Sequence, residues 1–323
     1  MLFNYDFFGK SGIGNNENEI DHIFLQNSFA IEEEDENNKE DEDNDSTNKN
    51  KKSIFNIVAV GDWDCTGETE DTVDNIIEQD PELVLALGDF SYGGDADCWF
   101  ELIEPIADKT KIAMGNHEDA EDYMDFFGLK EQYYSFNHKN MHFLALSTET
   151  DYDDDSEQYQ FAIKDLEKYS KDPFFDWIIV FYHRHIYGSG SLEEDADFRE
   201  TYHPLFDKYK VDLALQGHLH VYERTYPITF NQEEDDEPIV QDNNPTNIHK
   251  NPKGPIFLTV GTGGAHEMTL SSLDDFAAKG IDGTFGILDI ALEGDQNILT
   301  GSFIENGKKK KVMDEFKIIK NKT

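Results

Sequence analysis

The sequence predicts an α/β fold in which parallel strands are joined by helical crossovers. Three observations carry this. Short apolar runs end repeatedly in Gly-Asp, Gly-Asn or Gly-His; polar segments with one apolar face follow; and the order strand, loop, helix recurs before residue 115.

Residues 54–60 (Ile-Phe-Asn-Ile-Val-Ala-Val) are a short apolar run ending in Gly61-Asp62, the pattern of a buried strand. Residues 66–80 are polar, with Val73, Ile76 and Ile77 on one face, and read as a helix that stops before Pro81. A second buried strand over 83–87 ends in Gly88-Asp89. A helix over 97–107 and a third strand over 111–114, ending in Gly115-Asn116, complete the series. Residues 133–136 and 142–147 read as paired strands, and 157–169 as a helix. Residues 177–182 form a buried strand running into His183. A helix over 195–208 and a strand over 211–215 lead to Gly217-His218. Residues 231–252 are rich in Asn, Pro and acids and read as a loop. A strand over 256–260 ends in Gly261-Thr262-Gly263-Gly264, which lacks the lysine and spacing of a nucleotide phosphate loop. Closing strands over 286–290, 299–304 and 311–319 follow, with Asn306-Gly307 as a hairpin turn.

Composition bounds the function. The chain has 323 residues, with 27 Lys+Arg against 69 Asp+Glu and a net charge of −42. Phosphate backbones would be repelled, so no nucleic-acid partner is expected. Mean hydropathy is −0.66 and no apolar run nears the length of a membrane span, so no membrane partner is expected. No basic start followed by an apolar block opens the chain. No secretory signal is therefore legible, and localisation stays open, cytoplasmic by default. Residues 1–52 carry 14 acidic and five basic side chains, net −9, which leaves −33 to the other 271. Almost nothing apolar follows Ile31 there, so 1–52 is expected to be an acidic, largely disordered extension and 53–323 the catalytic domain. Two cysteines exclude a disulfide scaffold and an all-thiolate metal site. Cys65 and Cys98 follow the first two strand-end motifs. A disulfide and two buried thiols both remain open.

Five strands end in metal-capable residues: Gly61-Asp62, Gly88-Asp89-Phe90-Ser91-Tyr92, Gly115-Asn116-His117-Glu118, Val180-Phe181-Tyr182-His183 and Gly217-His218-Leu219-His220. Ligands in α/β sheets sit beyond the carboxyl ends of strands, so these loops are expected to converge on one crevice. Carboxylate, amide oxygen, phenol and imidazole without thiolate suit a hard, dinuclear site.

This set of motifs resembles the calcineurin-like metallophosphoesterases, in their purple acid phosphatase branch, from about residue 55 to the C-terminal strands. The resemblance implies a four-layer α/β/β/α sandwich of two mixed sheets flanked by helices. It implies that Asp62, Asp89, Tyr92 and His220 hold a first ion, Fe(III). Asp89, Asn116, His183 and His218 would hold a second, divalent Fe, Zn or Mn, with Asp89 shared across about 3.5 Å. The chemistry supports that split: a phenol with a pKa of about 10 becomes a ligand only beside a highly charged ion. The implied activity is hydrolysis of a small phosphate monoester by metal-bound hydroxide attacking phosphorus in line. His117 would act as general acid to the leaving group, and Glu118 would orient its imidazole. Only the acidic arm precedes the domain, so a short-form enzyme is expected.

The chain departs from the family pattern at two places. The first motif reads Asp62-Trp63-Asp64, so Asp64 is weighed as an extra carboxylate at the first ion, a hydrogen-bond acceptor behind its ligands, a group near substrate, or a solvated side chain. The loop after His183 lacks the family's further histidines. His185 is the residue that would replace them toward substrate, with packing as the alternative. His203 reads as structural and Arg224 as the partner of a carboxylate, while His266, after the glycine cluster, is weighed as a rim residue or one outside the site. Two other functions stand beside the leading one: a phosphodiesterase or nucleotide hydrolase on the same fold, and a non-catalytic binding module.

Overall fold

The computed structural model describes residues 55–93, 96–293 and 297–321. The expected acidic extension over 1–52, and the expected start of the body at 53, lie outside the described residues.

β1 (Phe55–Val60), β2 (Leu83–Ala86) and β3 (Thr110–Ile112) run parallel, as expected. α1 (Gly67–Gln79) crosses between the first two. The Thr66 hydroxyl caps it, and Asp80 closes it in the left-handed region at φ 46°. α2 (Ala96–Ile103) is shorter than the helix expected over 97–107, because Glu104–Lys109 tightens into a 3-10 turn led by Pro105. α3 (Ala120–Phe127), absent from the sequence reading, is bounded by Asp119 at its start and by Gly128 at φ 64°.

β4 (Tyr134–His138) and β5 (Met141–Ala145) form the expected pair, which is antiparallel. α4 (Glu157–Tyr169), β6 (Trp177–Phe181), α5 (Ala196–Tyr209) and β7 (Leu213–Gln216) follow, with β5, β6 and β7 parallel. β8 (Tyr222–Thr225) turns back. The stretch expected to be loop over 231–252 contains two short strands. β9 (Ile228–Thr229) pairs with β10 (Ile239–Val240), and β11 (Ile248–Lys250) extends the edge of the first sheet. β12 (Ile256–Val260) joins β7 in parallel, and β13 (Ala277–Ile281) lies beyond β8. β14 (Gly286–Glu293), β15 (Ile298–Glu305) and β16 (Val312–Ile319) close the first sheet as an antiparallel meander.

Among the described residues this gives two seven-stranded mixed sheets, ordered β11-β16-β15-β14-β1-β2-β3 and β13-β8-β12-β7-β6-β5-β4. Side chains of β5 alternate between two cores, as the two-residue strand period requires. Phe143 and Ala145 belong to the core shared with Ile57, Leu85 and Ile290 of the first sheet. Leu144 packs instead with Leu166, Phe198 and Phe206 of α4 and α5. Val73 and Ile76 of α1 and Trp99 of α2 cover the first sheet. The four-layer α/β/β/α arrangement is therefore present. Buried Arg224 on β8 reaches across it to Asp314 on β16, Nε to Oδ2 at 2.7 Å and Nη2 to Oδ1 at 3.1 Å, so it does pair with a carboxylate. His203 is buried with its Nδ1 2.8 Å from the Tyr187 hydroxyl, a structural role. Cys65 and Cys98 form a disulfide, Cα atoms 6.1 Å apart, which decides between the two possibilities left open.

Candidate metal centre

The strand ends of both sheets meet at one place. Gly61 N–H donates to Val260 O at 2.8 Å, Gly263 N–H to Gly61 O at 2.9 Å, and Gly217 N–H to His183 O at 2.8 Å. Asp62, Asp89, Asn116, His183, His218 and His220 all lie within a few residues beyond these ends. Asp62, Asp89 and His218 adopt left-handed backbone at φ 59°, 52° and 69°, which turns their side chains back over the crevice at a local conformational cost. Gly88, at φ 89°, cannot be replaced: an added Cβ would meet His183 Nδ1 at 2.5 Å.

Two groups of donors form around Asp89. On one side, His183 Nε2 lies 3.2 Å from Asp89 Oδ1, 3.2 Å from Asn116 Oδ1 and 3.2 Å from His218 Nδ1. Atoms of Asp89, His183 and His218 all fall within 4.8 Å of one another. On the other side, the Tyr92 hydroxyl donates to Asp62 Oδ1 at 3.1 Å and lies 2.8 Å from His220 Nε2. His220 Nε2 is 3.3 Å from Asp62 Oδ1. The seven expected ligand residues are thus brought together, with the Asp89 carboxylate meeting the Tyr92 hydroxyl on one side and His183 on the other.

Backbone carbonyls set the histidine tautomers. His183 Nδ1–H donates to Leu87 O at 2.8 Å, and His220 Nδ1–H to His266 O at 2.6 Å. Each directs its Nε2 at the crevice, the usual arrangement behind metal-bound imidazoles. Neither carbonyl carries a residue-type signal, so sequence reasoning misses both.

The electrostatics favour added positive charge. Burial alone would push His183 down, but Asp89, Asp62 and Glu118 outweigh it and hold the imidazole up to about 10. Burial opposes the Asp89 charge, yet His183 and His117 hold that carboxyl well below its usual range. Burial and the two aspartates push the Tyr92 phenol far above its ordinary value, so its phenolate needs a strongly charged neighbour. Burial, then His183 and Arg184, pushes His218 down to about 3, leaving it a neutral donor. The donor set fits a pair of hard cations.

The remaining residues separate. His117 is exposed at the mouth, its N–H donating to Asp89 Oδ1 at 3.1 Å and its ring 4.4 Å from that of Tyr92. Asp64 Oδ1 accepts from the adjacent Cys65 N–H at 2.7 Å, a contact within its own loop that agrees with the loop-carboxylate alternative. His185 is wholly buried with its ring 5.6 Å from that of His218, as its packing alternative requires; burial and the neighbouring histidines push it down to about 3. His266 is exposed on the rim, 4.7 Å from the His220 ring. Glu118 turns away from the His117 imidazole and accepts backbone N–H groups instead.

The Calcineurin-like phosphoesterase family matches residues 55–222, more than half of the chain. The chain belongs to this family. Within it the curated relatives are purple acid phosphatases. Purple acid phosphatase 15 of Arabidopsis thaliana is 27% identical over 68% of this chain and 47% of its own length. Probable inactive purple acid phosphatase 27 of the same plant is 32% identical over 68% of this chain and 42% of its own. The chain thus spans about half the length of the curated relatives it matches. Among solved structures, the purple acid phosphatase PPD1 from yellow lupin (Lupinus luteus) seeds aligns with a TM-score of 0.71 at 24% identity, over 83% of this chain and 54% of that one. GAP50, the anchor in the inner membrane complex of Plasmodium, aligns at 0.60 and 16% identity, over 83% and 91%. At these identities both likenesses speak to the calcineurin-like fold.

Proposed function

We propose that this chain is a dinuclear-metal phosphoesterase that hydrolyses small phosphate monoesters. The observation that carries the reading is Asp89 between two donor groups, with His183 Nε2 at 3.2 Å on one side and the Asp62, Tyr92 and His220 cluster on the other. Asp62, Asp89, Tyr92 and His220 would hold Fe(III); Asp89, Asn116, His183 and His218 would hold divalent Fe, Zn or Mn. Such an ion pair, when bound, lowers the pKa of water and offsets the charge of the ester. The protein's part is orientation and proton delivery. Leu87 and His266 fix the imidazoles, and the left-handed turns at Asp62 and Asp89 aim both carboxylates inward. His117, exposed and tethered through its N–H to Asp89, would pass a ring proton to the leaving oxygen. The acidic surface supports a small-molecule partner over a nucleic acid. Among the described residues no helix is long and apolar enough to cross a membrane.

A second reading, a non-catalytic binding module, is favoured by one observation: a relative 32% identical is named probable inactive. Metal analysis beside an ester panel separates the two. The proposal expects two ions per chain, a visible tyrosinate-to-iron band, and faster turnover of p-nitrophenyl phosphate than of its bis-ester. Bound ions without hydrolysis would favour the binding module, and faster diester turnover would replace monoesterase by diesterase.

A further inference from the structure

We infer that Glu118 is a positioning residue for the candidate metal centre, a carboxylate that latches the loop carrying Asp89 to the loop carrying Asn116. The inference rests on the dinuclear reading and adds to it a residue that holds no ion itself.

The contacts are reciprocal. Glu118 Oε1 accepts from Phe90 N–H at 2.6 Å, and Oε2 accepts from Asp89 N–H at 3.3 Å and from Gly115 N–H. In return Asp89 Oδ1 accepts from His117 N–H at 3.1 Å. A carboxylate from the third-strand loop thus binds backbone of the second-strand loop, and the second returns the same bond to the third. The left-handed turn at Asp89, φ 52°, makes this possible, because it points two successive N–H groups into one concavity, a small anion nest. Gly115 closes the fit: a Cβ there would collide with Asp89 Oδ1 and lie 2.8 Å from Glu118 Oε2.

The arrangement decides what Glu118 can do. Both oxygens face backbone donors, so neither is directed at a cation, and the carboxylate does not meet the His117 ring. It instead fixes the turn at Asp89, the donor both ions would share, and ties it to the neighbour of Asn116. Three N–H groups gathered on one carboxyl group hold such a turn from both loops at once. Groups that orient ligands in this way typically change metal affinity by about 10–100-fold when altered.

The test uses the whole chain as wild type, Glu118→Gln and Glu118→Asp. Glutamine keeps the shape but presents an NH2 to N–H donors; aspartate keeps the carboxyl group but falls one methylene short. Metal content and affinity are read by chelator competition, beside the visible band and the unfolding midpoint of the metal-free proteins. E118Q is expected to lose roughly 10–100-fold in affinity for at least one ion and to shift or weaken the band. E118D should recover part of the loss. A purely structural role would lower the metal-free midpoint and leave affinity and band alone, overturning the inference. If E118Q does not fold, E118D binding both ions as tightly as wild type does the same. A wild-type chain that holds no ions overturns the metal-centre reading itself, and this inference with it.

Discussion

His117 differs from the residues around it in facing water: its side chain is 45% exposed, whereas that of His183 is fully buried. A general acid needs such access, because it must be reprotonated after each turnover. His117→Ala is expected to lower kcat by about 10²–10⁴-fold on alkyl phosphates, whose leaving oxygens need a proton. The loss should be much smaller on p-nitrophenyl phosphate, whose leaving group departs as the anion. Equal losses in steady-state assays of both substrates would remove His117 from that role. Tyr92→Phe should leave the ring packing against His117 in place while abolishing the tyrosinate-to-iron band, which an absorption spectrum of iron-loaded protein checks. The donors were legible because their chemistry is in the side chain and their position is at strand ends. Leu87 O, His266 O and the N–H groups bound by Glu118 were not, because backbone groups carry no residue-type signature. The alternatives for Asp64 and His185 stayed open in the sequence for a related reason. Sequence places them beside the centre, but direction depends on a left-handed turn at φ 66° and on the packing around His218.

At the scale of elements, the loops of the centre are braced by a disulfide and an aromatic cluster. Cys65 lies in the first loop and Cys98 on α2, 33 residues apart, while Trp99 stacks on Phe90 of the second loop at 4.3 Å and meets Trp63 at 5.9 Å. Loop closure of this length contributes about 3–4 kcal/mol to stability. The Cys65→Ser, Cys98→Ser double variant is therefore expected to lose about that much unfolding free energy, read as a lower denaturant midpoint, with the aromatic contacts keeping the fold. Equal denaturation midpoints with and without reductant would show that the cross-link adds nothing. Strands buried on both faces were legible from their apolar runs. β10 and β11, two and three residues long, were not, since so short a strand exists only through its partner. Their segment also earns its order from tertiary contact: Asp235 Oδ2 accepts from Arg199 Nε at 2.9 Å and Nη2 at 2.7 Å.

At the scale of the molecule, the parallel crossovers were legible but the order of strands within each sheet was not, since β14 pairs with β1 from more than 200 residues away. The Arg224–Asp314 pair ties the two sheets together in a dry setting, with the Tyr222 hydroxyl also donating to Asp314 Oδ2 at 2.9 Å. Asp314→Ala leaves a buried guanidinium uncompensated and is expected to cost about 3–5 kcal/mol in chemical denaturation. Charge then governs how the whole fold responds to solvent. A net −42 repels itself most in the compact state, and uptake of protons as pH falls relieves it. Burial also holds Glu194, Glu223 and Asp289 above the ordinary carboxylate range. Because their folded values exceed their unfolded ones, the stability they contribute is complete below about pH 4 and is lost as pH rises through the folded values. His185 has the opposite sign: pushed down to about 3, its contribution is present above about pH 6.5 and is lost as pH falls. Thermal midpoints at low salt are therefore expected to rise from pH 8 toward pH 6.5 and to level off below it. In 1 M NaCl, where the screening length shrinks to about 3 Å, the rise should flatten and the midpoint at pH 8 should increase. A midpoint at pH 8 that salt leaves unchanged would mean that self-repulsion does not limit this fold.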